Sequence, residues 1–103
     1  MKPYAVKTML GFAARAGHLT TGEHGGKAAI RRKKAKLVVL ATDAADTTKD
    51  ELLSMAQQHG IPLVQALTME EIGMAIGKSK RAVVAILDEN FACQIKMMTE
   101  NGS

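Results

Sequence analysis

Tryptophan is absent, only three residues are aromatic (Tyr4, Phe12 and Phe91), and there is a single cysteine, Cys93. Without a ring-bearing strand pattern, the chain is a poor candidate for the modules that stack unpaired bases on an aromatic sheet. One cysteine makes no internal disulfide, which fits a reducing compartment, so a cytoplasmic location is expected. The longest apolar runs are five to seven residues, far short of the roughly 20 needed to cross a bilayer, and no membrane partner is expected. The segment opening Met1-Lys2-Pro3-Tyr4 is broken by glycine, lysine and arginine, unlike the apolar stretch of a signal peptide. His18, His24 and His59 have no metal-ligand spacing with one another or with Cys93, and Cys93 itself is expected to pack within the last helix. No nucleophile, base and orienting group can be assembled. The chain therefore reads as a non-enzymatic protein without metal or cofactor. Linkers, repeats and low-complexity tracts are missing too, so residues 1–103 form one domain.

Positive charge is present, and it is concentrated. The net charge is only +4 over 103 residues, yet six of the 14 Lys and Arg residues fall between positions 27 and 36, with no acid among them. Immediately before them stand Gly22, Gly25 and Gly26. Residues 22–26 read as a glycine turn, residues 27–33 as a short basic helix anchored by Ile30, and residues 36–41 as an apolar strand. A helix start wrapped in glycine with a cationic exposed face suits a polyanion, and RNA is the expected partner. Lys27, Arg31 and Lys34 would share a face if the helix continued that far. Lys78-Ser79-Lys80-Arg81 forms a second basic cluster before the last strand. Gly25-Gly26-Lys27 invites comparison with a phosphate-binding P-loop. Thr21, however, stands where that motif needs its first glycine, and Ala28 where it needs a magnesium-binding hydroxyl.

The remaining pattern alternates strands and helices. Val6, Met9, Leu10 and Ala13 repeat at helical spacing behind Pro3 until Gly17, and residues 18–21 allow at most a small strand. Thr48 with Glu51 predicts a capping box opening a helix whose core face is Leu52, Leu53 and Ala56, closed by Gly60 and Pro62; His59 is placed to meet its C-terminal dipole. Residues 61–66 read as a strand. Thr68 with Glu71 predicts a second capping box, and Gly77 ends that helix. Residues 81–87 form the last strand, and Asp88 caps a helix carrying Phe91, Ile95 and Met98, with residues 101–103 fraying. Strands this apolar are covered on both sides. Short connections predict parallel crossovers and an α/β fold: a three-layer α/β/α sandwich around a small, mostly parallel (mixed) sheet.

Residues 19–44, LTTGEHGGKAAIRRKKAKLVVLATDA, together with Gly60-Ile61-Pro62, Glu71-Ile72-Gly73 with Gly77, and the strand from Ala82 to Ile86, resemble the kink-turn RNA-binding family of ribosomal proteins, the L-seven-Ae and L-thirty-e type, and especially its small bacterial members. The resemblance covers nearly the whole chain. It implies the ribosomal L-thirty-e-like sandwich and binding to a sharply bent RNA helix with a short bulge beside sheared G·A pairs, in the context of the ribosome or translation. By that resemblance, Gly22, Glu23, His24, Gly25, Gly26 and Lys27 enter the widened groove, and the loop bearing Lys78, Lys80 and Arg81 covers the bulge. His24 and Gly25 stand where well-studied members carry Asn and Glu, and Ala28 where they carry Lys. Arg31, Lys33 and Lys36 then complete a set of phosphate contacts, which position RNA rather than specify it. The rival expectation is a protein-interaction or assembly module that kept the fold and lost RNA binding.

Overall fold

A computed structural model describes residues 3–100. Helix α1 (Pro3–Arg15) leads through strand β1 (Leu19–Thr21) to α2 (Gly22–Arg31) and β2 (Leu37–Leu40). Then follow α3 (Asp46–His59), β3 (Leu63–Gln65), α4 (Met69–Ile76), β4 (Val83–Ile86) and α5 (Glu89–Glu100). The four strands form one sheet in the order β1-β4-β2-β3. Every residue of β2 and β4 is buried, as expected of central strands covered on both faces. Helix α1 packs against α4 and α5, and α2 packs against α3, so the sandwich has its three layers. Val6, Leu10, Ile30, Leu52, Ile72 and Ile95, all at 0% exposure, turn from the helices onto the sheet.

The sheet is mixed, but less parallel than the strand–helix alternation implied. Only β2 and β3 run parallel; β4 is antiparallel to both β2 and β1. An apolar strand buried on both faces looks the same read in either direction, so hydropathy could not report the reversal. Leu53 also departs from expectation, standing 41% exposed while Leu52 and Ala56 face the core.

The caps divide in the same way. Thr68 Oγ1 accepts from the Glu71 amide at 3.1 Å, and Glu71 Oε1 accepts from the Thr68 amide at 2.9 Å, completing the expected box on α4. Gly60 and Gly77 close α3 and α4 in the left-handed region, at φ of 67° and 75°, and Asp88 Oδ2 accepts from the Phe91 amide at 3.0 Å at the head of α5. His59 Nδ1 lies 3.0 Å from the Met55 carbonyl in the last turn of α3. The box expected at Thr48 does not form. Helix α3 starts three residues earlier, behind Ala45, and Thr48 is buried with its hydroxyl turned toward α2. Residues 101–103, expected to fray, lie outside the described residues, as do Met1 and Lys2.

Candidate nucleic-acid interface

Strand register decides which loops meet. Thr21 stands opposite Val84, Leu40 opposite Val83, and Leu40 beside Gln65. The ends of β1, β2 and β3 therefore share one edge with the start of β4. The Ala41 amide, donating to the Ala82 carbonyl at 2.8 Å, extends that edge by a residue. The first turn of α2 and the loop containing Lys78, Lys80 and Arg81 emerge here together. Segments separated by some fifty residues in the chain thus form one rim.

Helix α2 begins at Gly22, not after the glycines. Gly25 and Gly26 lie inside the helix, where their amides belong to its internal ladder; the first-turn amides left over by helix geometry are those of Gly22, Glu23 and His24. Thr21, the residue preceding the helix, offers that turn no side-chain hydrogen bond. The two inner glycines serve close approach. A Cβ on Gly26 would stand 2.6 Å from Val83 Cγ1, and one on Gly25 would stand 2.7 Å from Thr20 Oγ1. Their lack of side chains lets the start of α2 rest directly on β4 and β1.

Lys27 is half-buried and Glu23 exposed, and both are tied to α3. Lys27 Nζ pairs with Glu51 of α3 and lies 3.0 Å from Glu23 Oε1, while Glu23 Oε2 accepts from the Thr48 hydroxyl at 3.3 Å. Bonding to Lys27 holds the Glu23 carboxyl below its ordinary range, and bonding to Glu51 and then Glu23 raises the Lys27 ammonium above its own. The pair locks α2 against α3, and Lys27 reaches RNA only at the expense of those bonds.

The α4–β4 loop is built over a missing side chain as well. A Cβ on Gly73 would come within 2.3 Å of the Ser79 carbonyl oxygen, so the loop crosses α4 at backbone contact. The Lys78 amide donates to the Gly73 carbonyl at 2.8 Å and the Arg81 amide to the Met69 carbonyl at 3.2 Å. Arg81 curls back: its guanidinium donates to the Ser79 carbonyl at 3.1 Å, the Ser79 hydroxyl at 2.8 Å and the Lys80 carbonyl at 3.0 Å. Lys78 and Lys80 are exposed, and neither is among the ion pairs of the described residues. They are the free cations of this rim, and Arg81 stiffens the loop that presents them.

Lys33 and Lys36 lie at the opposite edge. Lys33 takes φ of 58°, and its amide donates to the Ile30 carbonyl at 3.0 Å while the Lys34 amide reaches the Ala29 carbonyl at 2.9 Å. That closure ends α2 as a Schellman turn with lysine where glycine is usual, so Lys34 cannot continue the face of Lys27 and Arg31. The Lys36 amide donates to the Ile86 carbonyl at 2.7 Å. This is the far end of β4, about 10 Å from Val83 at ordinary strand rise. The basic run, continuous in sequence, is divided across the sheet, with exposed Arg31 at the far end of α2. A cleft of about 330 Å³ runs beside α2, with His24, Ala28 and Arg32 along one wall and Thr20, Lys34 and Leu87 completing it. Sequence reasoning passed over Arg32, Thr20 and Leu87 and set Lys34 on the face of Lys27 and Arg31 instead; the spacing of His24, Ala28 and Arg32 at i, i+4 and i+8 is the signal that another shared helix face was available.

Cys93 is exposed on α5 rather than packed, since the inward face of that helix is taken by Ala92 and Ile95. Among the described residues no group of histidine, cysteine and acidic side chains could hold a metal ion, and no helix is long and apolar enough to cross a membrane.

A helix-covered mixed sheet carrying a glycine-founded helix start and a cationic loop on one edge defines a class, and comparison with known proteins supplies its name. Residues 4–96 match the Ribosomal protein L7Ae/L30e/S12e/Gadd45 family, and the chain belongs to it. It is 37% identical over 92 residues to the RNA-binding protein YlxQ of Enterococcus faecium, spanning 89% of this chain and 88% of that protein. It is 34% identical over 84 residues to the RNA-binding protein YlxQ of Bacillus subtilis (strain 168), with 82% and 84% covered. A protein of unknown function from Bacillus halodurans superposes with a TM-score of 0.90 at 33% identity, over 92% of this chain and 96% of its own. The Giardia lamblia 15.5kD RNA binding protein shares the fold at a TM-score of 0.78 and 22% identity, over 92% and 84%.

Proposed function

We propose that this protein is a non-enzymatic RNA-binding protein of the cytoplasm that grips a structured, kink-turn-like RNA in a ribosomal or translational setting. One observation carries the reading: the Thr21–Val84 and Leu40–Val83 pairings set the uncapped first turn of α2 beside exposed Lys78 and Lys80. Helix amides and two cations converging on one rim match a bent phosphate backbone. The RNA-binding relatives, more than a third identical over most of the chain, support RNA over other polyanions. On this reading His24, exposed at the head of α2, supplies the contact to base or sugar.

Backbone contacts dominate in this arrangement. Gly25 brings no side chain, Glu23 is committed to Lys27 and Thr48, and Ala28 carries no polar group. The test is a filter-binding titration of a kink-turn RNA against the same RNA with its G·A pairs replaced, at several salt concentrations. Engagement of about three phosphates gives a slope of log affinity against log salt of roughly −3. Tighter binding of the intact kink-turn establishes recognition of the bend. A slope near zero, or charge reversal at Lys78 and Lys80 without loss, would favour the protein-interaction module instead.

A further inference from the structure

The cleft beside α2 belongs to neither rim; it connects them. His24 stands at the end next to the first-turn amides and Arg32 at the other, eight residues or about 12 Å along the helix axis. Its walls differ in chemistry along that length. Ala28 and Leu87 make an apolar middle, Thr20 offers a hydroxyl from edge strand β1, and Arg32 and Lys34 place two cations at the far mouth. Both cations are exposed, and neither is among the ion pairs of the described residues. The volume of about 330 Å³ lies at the small end of ligand sites, which start near roughly 300 Å³. Apolar walls with a histidine at one end and paired cations at the other suit a flat ring followed by a phosphate.

We infer that the cleft receives one unpaired nucleotide of an RNA strand leaving the α2 rim, with its base between His24 and the Ala28–Leu87 wall and its phosphate on Arg32 and Lys34. The inference rests on the proposed RNA binding and adds to it a preference for structured RNA with a single-stranded flank. Twelve ångströms accommodates one nucleotide and its next phosphate. The orphaned far-edge cations of the basic run thereby acquire a ligand that the opposite rim cannot offer them.

Affinity is measured for a blunt kink-turn RNA, for the same RNA with a three-nucleotide single-stranded extension at either end, and for a single-stranded pentanucleotide alone. The wild type is expected to bind one extended RNA at least about fivefold more tightly than the blunt one, the lower end of what one stacked base contributes. That gain, read as the ratio of extended to blunt RNA affinity within each variant, disappears in Arg32→Glu/Lys34→Glu and in Ala28→Leu, which fills the cleft without altering charge. Equal binding of extended and blunt RNA by the wild type overturns the inference, as does a gain that survives both variants. Adenosine monophosphate titrated against the amide signals of Thr20, Ala28 and Leu87 separates the sources: saturable shifts without an extension gain overturn the RNA flank in favour of a free nucleotide. If blunt RNA fails to bind at all, the rim reading fails. The cleft then stands only if the pentanucleotide binds and is lost in Arg32→Glu/Lys34→Glu but kept in Lys78→Glu/Lys80→Glu; a pentanucleotide that does not bind removes it too.

Discussion

Gly26 lies against Val83 so closely that a single added methyl group would stand 2.6 Å from Val83 Cγ1. The contact seats α2 on a central strand, since both residues are buried and Val83 is fixed by its pairing with Leu40. Gly26→Ala must push the helix away or displace a fully packed valine, an overpacking cost of about 1–3 kcal/mol. Urea unfolding is expected to show that loss with an unchanged m-value.

Gly73 gives the sharper case because the obstacle is backbone. The Ser79 carbonyl would lie 2.3 Å from a Cβ there and cannot rotate aside. Gly73→Ala is therefore expected to lift the loop of Lys78 and Lys80 from α4. It should weaken RNA binding by about as much as losing one phosphate contact, and accelerate amide exchange at Lys78 and Arg81, whose amides are anchored to α4 carbonyls. Unaltered exchange at both amides would contradict it.

The ion cluster between α2 and α3 makes stability depend on pH in a definite direction. Bonding to Lys27 lowers the Glu23 pKa from its ordinary value of 4.5. A carboxyl depressed in the folded state contributes stability above its unfolded pKa and loses it as pH falls through the folded value. Glu71, held down by the Thr68 amide and then by Lys7 at 3.1 Å, acts in the same sense. Chemical denaturation at neutral pH is expected to find Glu23→Gln less stable than the wild type, with the difference closing as pH drops below about 4.5. A gap constant from pH 7 to pH 3 would show that the ion pair contributes nothing.

Lys33 occupies a left-handed position at φ of 58°, where a side chain costs on the order of 1 kcal/mol relative to glycine. Lys33→Gly is expected to raise stability by roughly 0.5–1 kcal/mol. Because Lys33 lies at the far edge from Lys78 and Lys80, blunt RNA should bind with nearly unchanged affinity. Thermal unfolding and filter binding on one preparation test both.

How much of this was readable beforehand depended on whether the cause was local. The Thr68–Glu71 box, the glycine caps at positions 60 and 77, and the Asp88 cap are contained within a few residues, and each formed. Thr48 carries the same signature but answers to Glu23, a residue 25 positions away. Three glycines in five residues look like a turn; Gly22 does take a left-handed φ of 86°, but the reason for Gly25 and Gly26, the nearness of Thr20 and Val83, exists only after the sheet has assembled. The end of α2 was obscured because lysine, not glycine, takes the left-handed turn. The division of the basic run between two edges follows from that hidden stop and from the antiparallel setting of β4.

That division sets up the most discriminating comparison of charges. Lys78→Glu/Lys80→Glu and Lys33→Glu/Lys36→Glu remove and reverse identical charge, so any effect of net charge on long-range attraction is the same in both. Contact at the α2 rim affects only the first pair. At physiological salt, Lys78→Glu/Lys80→Glu is expected to weaken a blunt structured RNA by at least about tenfold and to flatten the salt slope by about 2, one for each lost phosphate. Lys33→Glu/Lys36→Glu should produce a small loss that vanishes by about 0.3 M salt, where screening confines electrostatics to direct contacts. Lys27→Gln should also bind nearly normally, while losing stability because Glu23 and Glu51 are left without their shared cation. Equal weakening by both double variants across the whole salt range would mean that the RNA samples the basic surface without a preferred edge, and the strand register that joins Thr21 to Val84 would have no part in binding.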